Sequence, residues 1–501
     1  MSEASSNDNQ QKVVFDHLLT SSDNPLTGSG SVSIQGSLVG SINLDARNAS
    51  NATLAMPVLA NAHDHGRGMR TLAFGALDDA LEIWLTRLGL EPAVDPYLRA
   101  LVALGRMAES GIGVINHCHN TADFKTLAAE ASEVARAAHT VGVRLAFATP
   151  ILGQNPIAYG DPAPLFDRLS DGEASRLKGN AAAMPSFADQ LAVAEELFDL
   201  SDDLVTVQYG PIAPQWVDDS TLARIADRSA MRERRIHMHL FETKAQREWA
   251  DAHYPDGLLN HLDTMGLLSE RLTVAHGTYL TRTECELLAE RGVYVSVNTS
   301  SNLRLRSGIA PVADFMATGV RFGMGMDGMA FDDDEDGLRE MRLLWHLQRG
   351  FGFTDTLERA DLLKAVLFTG RDAILGPGSA KPLDAGAPAD LMLLDTAPMQ
   401  RDVIPERVDL LDLLLTRATQ DDVQDVWIAG RKIVAEGSLV GADLAAAETE
   451  LTERVRRAAQ EVDFASLDRI ADAYRDYYRC GYHLELGDPQ DIVATTGAAL
   501  S

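Results

Sequence analysis

The stretch TLAMPVLANAHDHGRGM, residues 53–69, runs from an apolar segment straight into His63-Asp64-His65. An apolar run that ends in ligand-type side chains is how a buried strand delivers groups to a site at its carboxyl end. Seven more runs follow: GVINHC from 113, VRLAFATP from 143, LVTVQYGP from 204, RRIHMHL from 234, LTVAHG from 272, VYVSVNT from 293 and VRFGMGMD from 320. Between them lie segments with helical spacing, among them FKTLAAEASEVARAAHT and EDGLREMRLLWHLQR. Eight apolar strands alternating with helices over roughly 270 residues predict an α/β fold, a (β/α)8 TIM-like barrel. An open doubly wound sheet shows the same alternation. However, no GxGxxG follows the first strand and no GxxxxGK(S/T) occurs anywhere.

Outward from the barrel, assigned to residues 56–375, the pattern changes. Residues 13–55 alternate weakly with Gly and Ser punctuation, as in SGSVSIQGSLVGSINL, and residues 376–440 read as strand–turn–strand text. Together they predict a small composite β-sandwich domain into which the barrel is inserted. Residues 1–12 are expected to be disordered, and residues 441–501 to form a helical extension that includes IADAYRDYYRCGYH.

The formal net charge of −29 over 501 residues argues against nucleic-acid and anionic-membrane partners, which need a basic surface. No apolar run reaches the length of about 18 that a membrane span requires. Cys118, Cys285 and Cys480 show no pairing pattern, and MSEASSNDNQQK has no leader-like order of charge and apolarity. The expected setting is therefore cytoplasmic, and the Asn-Ala-Ser and Asn-Ala-Thr triplets at 48 and 51 are discounted as glycosylation sites.

Seven of the 13 histidines fall at predicted strand exits: His63, His65, His117, His119, His237, His239 and His276. Glu242, Asn298 and Asp327 also stand at or just after exits. Imidazole and carboxylate are ligands of zinc and iron. Side chains two apart share a strand face, so His63 and His65 can both enter the barrel mouth. A nitrogen from His239 and an oxygen from Asp327 would complete a site that still admits water. A divalent ion there would lower the pKa of that water from about 16 toward about 7, making it a nucleophile at neutral pH. His237 lies one layer deeper and suits a core role. His117 and His119 either line the substrate pocket or fill the mouth, and Cys118 points away from both. Arg67 and Arg70 either contact the substrate or pair with the acidic loop Asp332–Asp336. Gln208, on the fourth strand, and Asn298 join Arg67, His117 and His119 as candidate substrate contacts.

With these residues in view, the sequence resembles the amidohydrolase superfamily, in its branch of cytosine deaminases, adenosine-type (S-adenosylhomocysteine) deaminases and triazine hydrolases. The resemblance spans nearly the whole chain. It is carried by MPVLANAHDHG (family P-G-x-x-N-x-H-x-H), HMHLFET (family H-x-x-E), VAHGTYL, SSNLRLRSGIAP, GMGMDGMAFDDDEDGLREMRLLWHLQR and GAPADLMLLD. It implies that His63, His65, His239 and Asp327 bind one divalent metal ion per subunit, zinc or alternatively iron. It further implies that Glu242 shuttles a proton to the ring nitrogen and leaving group, and that His276 holds the attacking water or polarises the oxyanion. Asp327 would also accept the water's proton. A homodimer or homotetramer is expected on the same ground.

The fourth strand, LVTVQYG, has no lysine to carbamylate, which favours a mononuclear over a binuclear centre. PIAPQW places Ile212 where nucleoside deaminases of the branch carry a histidine, which argues against a nucleoside substrate. The expected activity is hydrolysis of a C–N bond of a small heterocycle, a deaminase or aminohydrolase reaction. The alternative on the same fold is hydrolytic dechlorination, or cleavage of an amide, urea or carbamate. Glu242 favours deamination, because an amine leaving group needs a proton and chloride does not. A non-catalytic relative would lack ligands, yet every ligand position is filled.

Overall fold

The computed structural model describes residues 11–24, 26–45, 52–88, 91, 93–331 and 333–484. Eight parallel strands form one sheet that bends into a ring: β1 (Leu59–Asp64), β2 (Ile112–Cys118), β3 (Arg144–Ile151), β4 (Val205–Pro211), β5 (Ile236–Leu240), β6 (Leu272–His276), β7 (Tyr294–Val297) and β8 (Arg321–Met324). They neighbour one another in chain order, with helices on the outside, as a TIM-like barrel requires. Every strand is apolar and almost wholly buried, because one face meets the barrel interior and the other the helices.

The seam between β8 and β1 closes through the residues that follow β8. Met326 and Asp327 donate their backbone N–H groups to the His63 carbonyl at 3.1 and 2.9 Å. Asn61 Oδ1 accepts from Met326 N at 3.0 Å, and Asp64 accepts from Asn61 Nδ2 and Gly328 N, each at 2.9 Å. Asp64 thus faces away from the histidines beside it and staples the first exit to the last.

The opening run TLAMPVLANA is two strands rather than one, which corrects the sequence reading. Thr53–Pro57 pairs antiparallel with Leu391–Asp395, with Met56 opposite Met392, and parallel with His17–Leu18. Only after Val58 does the chain enter the barrel as β1. Pro57 has no N–H to carry a ladder onward, so the run changes sheet there.

Thr53–Pro57 belongs to a six-stranded sheet with Leu391–Asp395, Val423–Ile428, Arg431–Ala435, Ser438–Leu439 and His17–Leu18. A three-stranded antiparallel sheet, Gln11–Phe15, Gly30–Gln35 and Leu38–Leu44, packs over it. Val13, Phe15, Val32 and Ile34 meet Leu391, Leu393 and Trp427 in a core separate from that of the barrel. Gln11 and Lys12, expected in a disordered tail, are ladder residues opposite Ile34 and Ser33, and Gln11 Oε1 accepts from Trp427 Nε1 at 3.2 Å. Residues 1–10, the triplet at 48–50, Asn51 of the second triplet and residues 485–501 lie outside the described residues.

Asp390 locks the smaller body to the barrel. Its carboxylate accepts from Arg144 at the start of β3 at 2.7 Å and pairs with Arg371 at 2.6 Å. Two helices, Leu444–Ala458 and Phe464–Arg479, complete the described chain. Among the described residues no helix is long and apolar enough to cross a membrane.

Candidate active site

The exits of β1, β5, β6 and β8 bring six ionisable side chains together at the carboxyl end of the barrel. Asp327 Oδ1 lies 3.0 Å from His63 Nε2 and 3.1 Å from His65 Nε2. The His239 ring stands 4.8 Å from that of His63 and 5.5 Å from that of His65, centroid to centroid. His276 Nε2 is 3.7 Å from Glu242 Oε2 and 3.9 Å from Asp327 Oδ2. All six residues are buried. His276 and Asp327 hold φ of +74° and +61°, a left-handed backbone that non-glycine residues rarely keep without support.

Hydrogen bonds decide which ring nitrogen is free. His65 Nδ1 lies 2.7 Å from the Cys118 carbonyl and His239 Nδ1 2.7 Å from the Ile212 carbonyl. A carbonyl only accepts, so both Nδ1 atoms carry the proton and both Nε2 atoms keep a lone pair toward the cluster. His276 is arranged alike: its Nδ1 lies 2.9 Å from Asn302 Oδ1. Burial pushes His65 and His276 down to about 4 and His239 well below the usual imidazole range, so the rings are neutral at pH 7.

The two acids diverge. Burial would raise the Asp327 carboxyl, but the His63 and His65 rings more than offset it and hold it well below the usual range. Burial, then the Asp327 and Glu82 carboxylates, push Glu242 well above its ordinary value. Asp327 is therefore biased toward the carboxylate and Glu242 toward the acid, a base and an acid side by side.

This donor set fits a divalent metal. Three imidazoles and one carboxylate are zinc or iron ligands, and His63 Nε2, His276 Nε2 and Glu242 Oε1 are buried with no hydrogen-bond partner among the described residues. His63, His65, His239 and Asp327 would hold the ion, with Glu242 and His276 beside it. Cys118, like Asn116, faces inward from β2, its sulfur within 4.8 Å of nitrogens of His63 and His239. Burial keeps that thiol protonated.

The remaining candidates are distributed differently. His117 and His119 face away from the cluster, joined to each other at 3.0 Å, with His119 Nε2 paired to Glu130 at 2.8 Å. Gly66, at φ +54°, passes over His117 so closely that a β-carbon would sit 2.4 Å from its Nδ1. Of the two, His119 also borders the large cavity above the site. Among the described residues Arg67 pairs with neither the acidic loop nor the cluster. It pairs with Glu91 at 3.6 Å and lies over the Trp84 ring at 5.1 Å, while Arg304 and Arg339 take Asp333 and Asp334. Asp332 lies outside the described residues. Asn298 accepts from Ser296, and its Nδ2 lies 3.2 Å from His276 Nδ1, a packing contact beside the ring that Asn302 orients. Gln208 shares a layer with Cys118 and Ala148, and both its amide atoms are buried without a partner among the described residues.

Several contributors have no counterpart among the residues singled out from the sequence. Ser301 Oγ donates to Asp327 Oδ2 at 2.5 Å, and Asn302 fixes His276. Both lie within SSNLRLRSGIAP, so a motif signal existed for them. Glu82, which accepts from Thr243, and Tyr159, which walls the cavity, lie in ordinary helix and loop text, whereas Trp216, also in that wall, closes the quoted PIAPQW stretch.

Residues 54–433 match the profile of the amidohydrolase family. A protein from Moorella thermoacetica named 5-methylthioadenosine/S-adenosylhomocysteine deaminase is 28% identical over 416 residues, 81% of this chain and 87% of that one. One of the same name from Natronomonas pharaonis is 29% identical over 422 residues, 83% and 88% of the two chains. Among solved structures, an adenosine deaminase from Xanthomonas campestris with bound zinc superposes with a TM-score of 0.73 at 24% identity, covering 90% of this chain and 98% of that one. A triazine hydrolase from Arthobacter aurescens gives 0.72 at 19%, covering 89% and 99%. At these identities the two structures speak to the fold.

Proposed function

The chain belongs to the amidohydrolase family, and from that premise we propose that it is a metal-dependent aminohydrolase acting on the exocyclic C–N bond of a small heterocycle of the adenine type. The observation that carries this is the convergence of the His63, His65 and His239 imidazoles and the Asp327 carboxylate beside Glu242, whose carboxyl burial pushes well above its ordinary value. The names of the deaminase relatives support the adenine-type ring.

His63, His65, His239 and Asp327 would hold a divalent ion, zinc or alternatively iron, which when bound would supply a Lewis acid able to bring a water's pKa from about 16 toward about 7. His276 Nε2, a lone pair, accepts a hydrogen bond from that water and fixes its direction. Asp327 takes the proton the water loses as its oxygen adds to the amine-bearing carbon. Glu242 protonates the adjacent ring nitrogen and then, recharged by the proton Asp327 collected, the departing amine. The C–N bond breaks, ammonia leaves, and the ring keeps the oxygen. Gln208, whose amide is buried without a partner among the described residues, would meet a polar edge of the ring. The same reading carries a cytoplasmic setting and a homodimer or homotetramer.

Metal analysis and ammonia release test it together. We expect one divalent ion per subunit, ammonia from at least one of adenine, adenosine and 5′-methylthioadenosine, and loss of both metal and turnover in His239→Ala. Two ions per subunit, or full activity in that variant, would overturn the assignment. Ammonia from none of these, with chloride or alkylamine released from a substituted triazine, would transfer the chain to the dechlorinase or amide-cleaving alternative.

A further inference from the structure

Beside the cluster lies a cavity of about 730 Å³. Its inner end is formed by Ile212, whose carbonyl holds His239, and by Tyr159. The Tyr159 hydroxyl is buried near Glu242, Gln246 and Gln215 without a partner among the described residues. The volume falls in the range of about 300–1,000 Å³ that encloses a drug-sized ligand, well beyond a bare heterocycle. The space at the far end therefore needs an occupant of its own.

The wall of that far end comes from a distant part of the chain. Leu467, Ile470, Tyr474 and Tyr478, on the helix Phe464–Arg479, line it although the family match stops at residue 433. The helix is anchored on the loop after β3. Tyr474 donates its hydroxyl to the Ile157 carbonyl at 2.8 Å, and Tyr477 donates to the Tyr159 carbonyl at 2.8 Å. Arg475 pairs with Asp79 at 2.7 Å, and Glu173 accepts from Ser466 and Arg469, each at 3.0 Å. Its apolar face builds a small core of its own with Ile83, Ala158 and Leu165. Trp216, Tyr159, Tyr478 and Tyr474 follow one another around the cavity with centroid separations of 5.8, 5.5 and 6.5 Å.

We propose that the C-terminal helix forms the distal half of the substrate site, where Tyr474 and Tyr478, with Tyr159 and Trp216, receive an uncharged alkyl or aryl substituent carried by the reacting heterocycle. Ring faces and edges in this arrangement offer dispersion and stacking contacts and no charge, so they reward an apolar substituent over a hydroxyl. Tyr477, through the Tyr159 carbonyl, is a positioning residue that couples the helix to the inner end. The subsite rests on the aminohydrolase reading, because that reading supplies the ring whose substituent it takes.

Adenosine and 5′-methylthioadenosine test this directly, since they differ by a hydroxyl against a methylthio group. The zinc-loaded wild type should favour the methylthio probe in kcat/KM. Tyr474→Ala and Tyr478→Ala should cut that preference by about tenfold, chiefly through KM, while Tyr478→Phe, which keeps the ring, retains it. If an alanine variant fails to fold, Tyr478→Trp, which narrows the space, should raise KM for the methylthio probe instead. No wild-type preference, or one that both ring-removing variants leave unmoved, overturns the subsite. If neither nucleoside yields ammonia, the reaction itself is misassigned, and thioanisole decides the subsite alone. Its saturation-transfer signal should be present with wild type and weakened about tenfold in affinity by Tyr478→Ala, and absence of signal or of weakening overturns the proposal.

Discussion

His63 Nδ1 lies 2.7 Å from His237 Nε2, and His237 Nδ1 lies 2.7 Å from the Asn116 amide, with the two rings stacked at 4.9 Å. Protons can run along this row in two senses. With Asn116 Nδ2 donating inward, each ring passes a proton on and His63 Nε2 carries one toward Asp327. With the amide turned by about 180°, its Oδ1, otherwise unpartnered among the described residues, accepts from His237. His237 then accepts from His63 Nδ1–H, and Nε2 is left with the lone pair a metal needs. Asn116→Leu, which removes the acceptor, should weaken metal binding by about 10- to 100-fold in chelator competition, whereas Asn116→Asp, an acceptor only, should keep it. Equal affinities in the two variants would remove Asn116 from the relay. The acid at Glu242 makes a second residue-scale prediction. Its protonated form is the working one, and its pKa lies above the ordinary value, so kcat/KM should fall on the alkaline side as that group ionises. Glu242→Gln should lose about 10²- to 10⁴-fold in kcat and with it that limb of the pH profile. The histidines and carboxylates behind these predictions were legible in the sequence as residue types at strand exits. Their tautomers were not, because the deciding acceptors at His65 and His239 are backbone carbonyls that every residue possesses.

Strand β2 shows why element identity was legible and facing was not. IGVINHC is buried at every position, so no polar face marks which alternate set points inward. Register decides it. Cys118 lies beside Ala148 and Ala148 beside Gln208, which turns Cys118 toward His63 and His239 and turns His117 and His119 toward the helices. Helix Gly337–Gln348 carries a further element-scale link, since its buried Glu340 accepts from Ser300 N at 3.0 Å and from the Ser300 hydroxyl. That clamps the turn Thr299–Arg304 whose Ser301 and Asn302 hold Asp327 and His276. Burial raises Glu340 from 4.5 to about 7. A raised carboxyl binds its proton more tightly when folded, so its contribution is full below pH 4.5 and is lost as pH rises through about 7. Denaturant melts between pH 5 and 9 should show that loss, up to about 3 kcal/mol, and Glu340→Gln should flatten it. An unchanged slope in the variant would assign the dependence elsewhere.

The whole molecule hangs together at Asp390, where a carboxylate from the smaller body meets Arg144 and Arg371 of the barrel. Asp390→Ala strands both guanidiniums in a largely buried setting and should cost about 3–5 kcal/mol in a reversible melt, whereas loss of less than about 1 kcal/mol would mean that apolar packing alone joins the two bodies. By itself the sequence determined the ring of eight strands, because apolar runs and helical spacing are local signals that neighbouring residues write together. It also determined which ligand-type side chains stand at the strand exits, since residue type is a property of single positions. Only the tertiary structure decided where TLAMP leaves one sheet for another, which face of β2 looks inward and which ring nitrogens are free. It alone brought the tyrosines near residue 475 against Tyr159. These depend on registers and contacts between segments hundreds of residues apart, which folding sets by burial across the whole chain and no local pattern records.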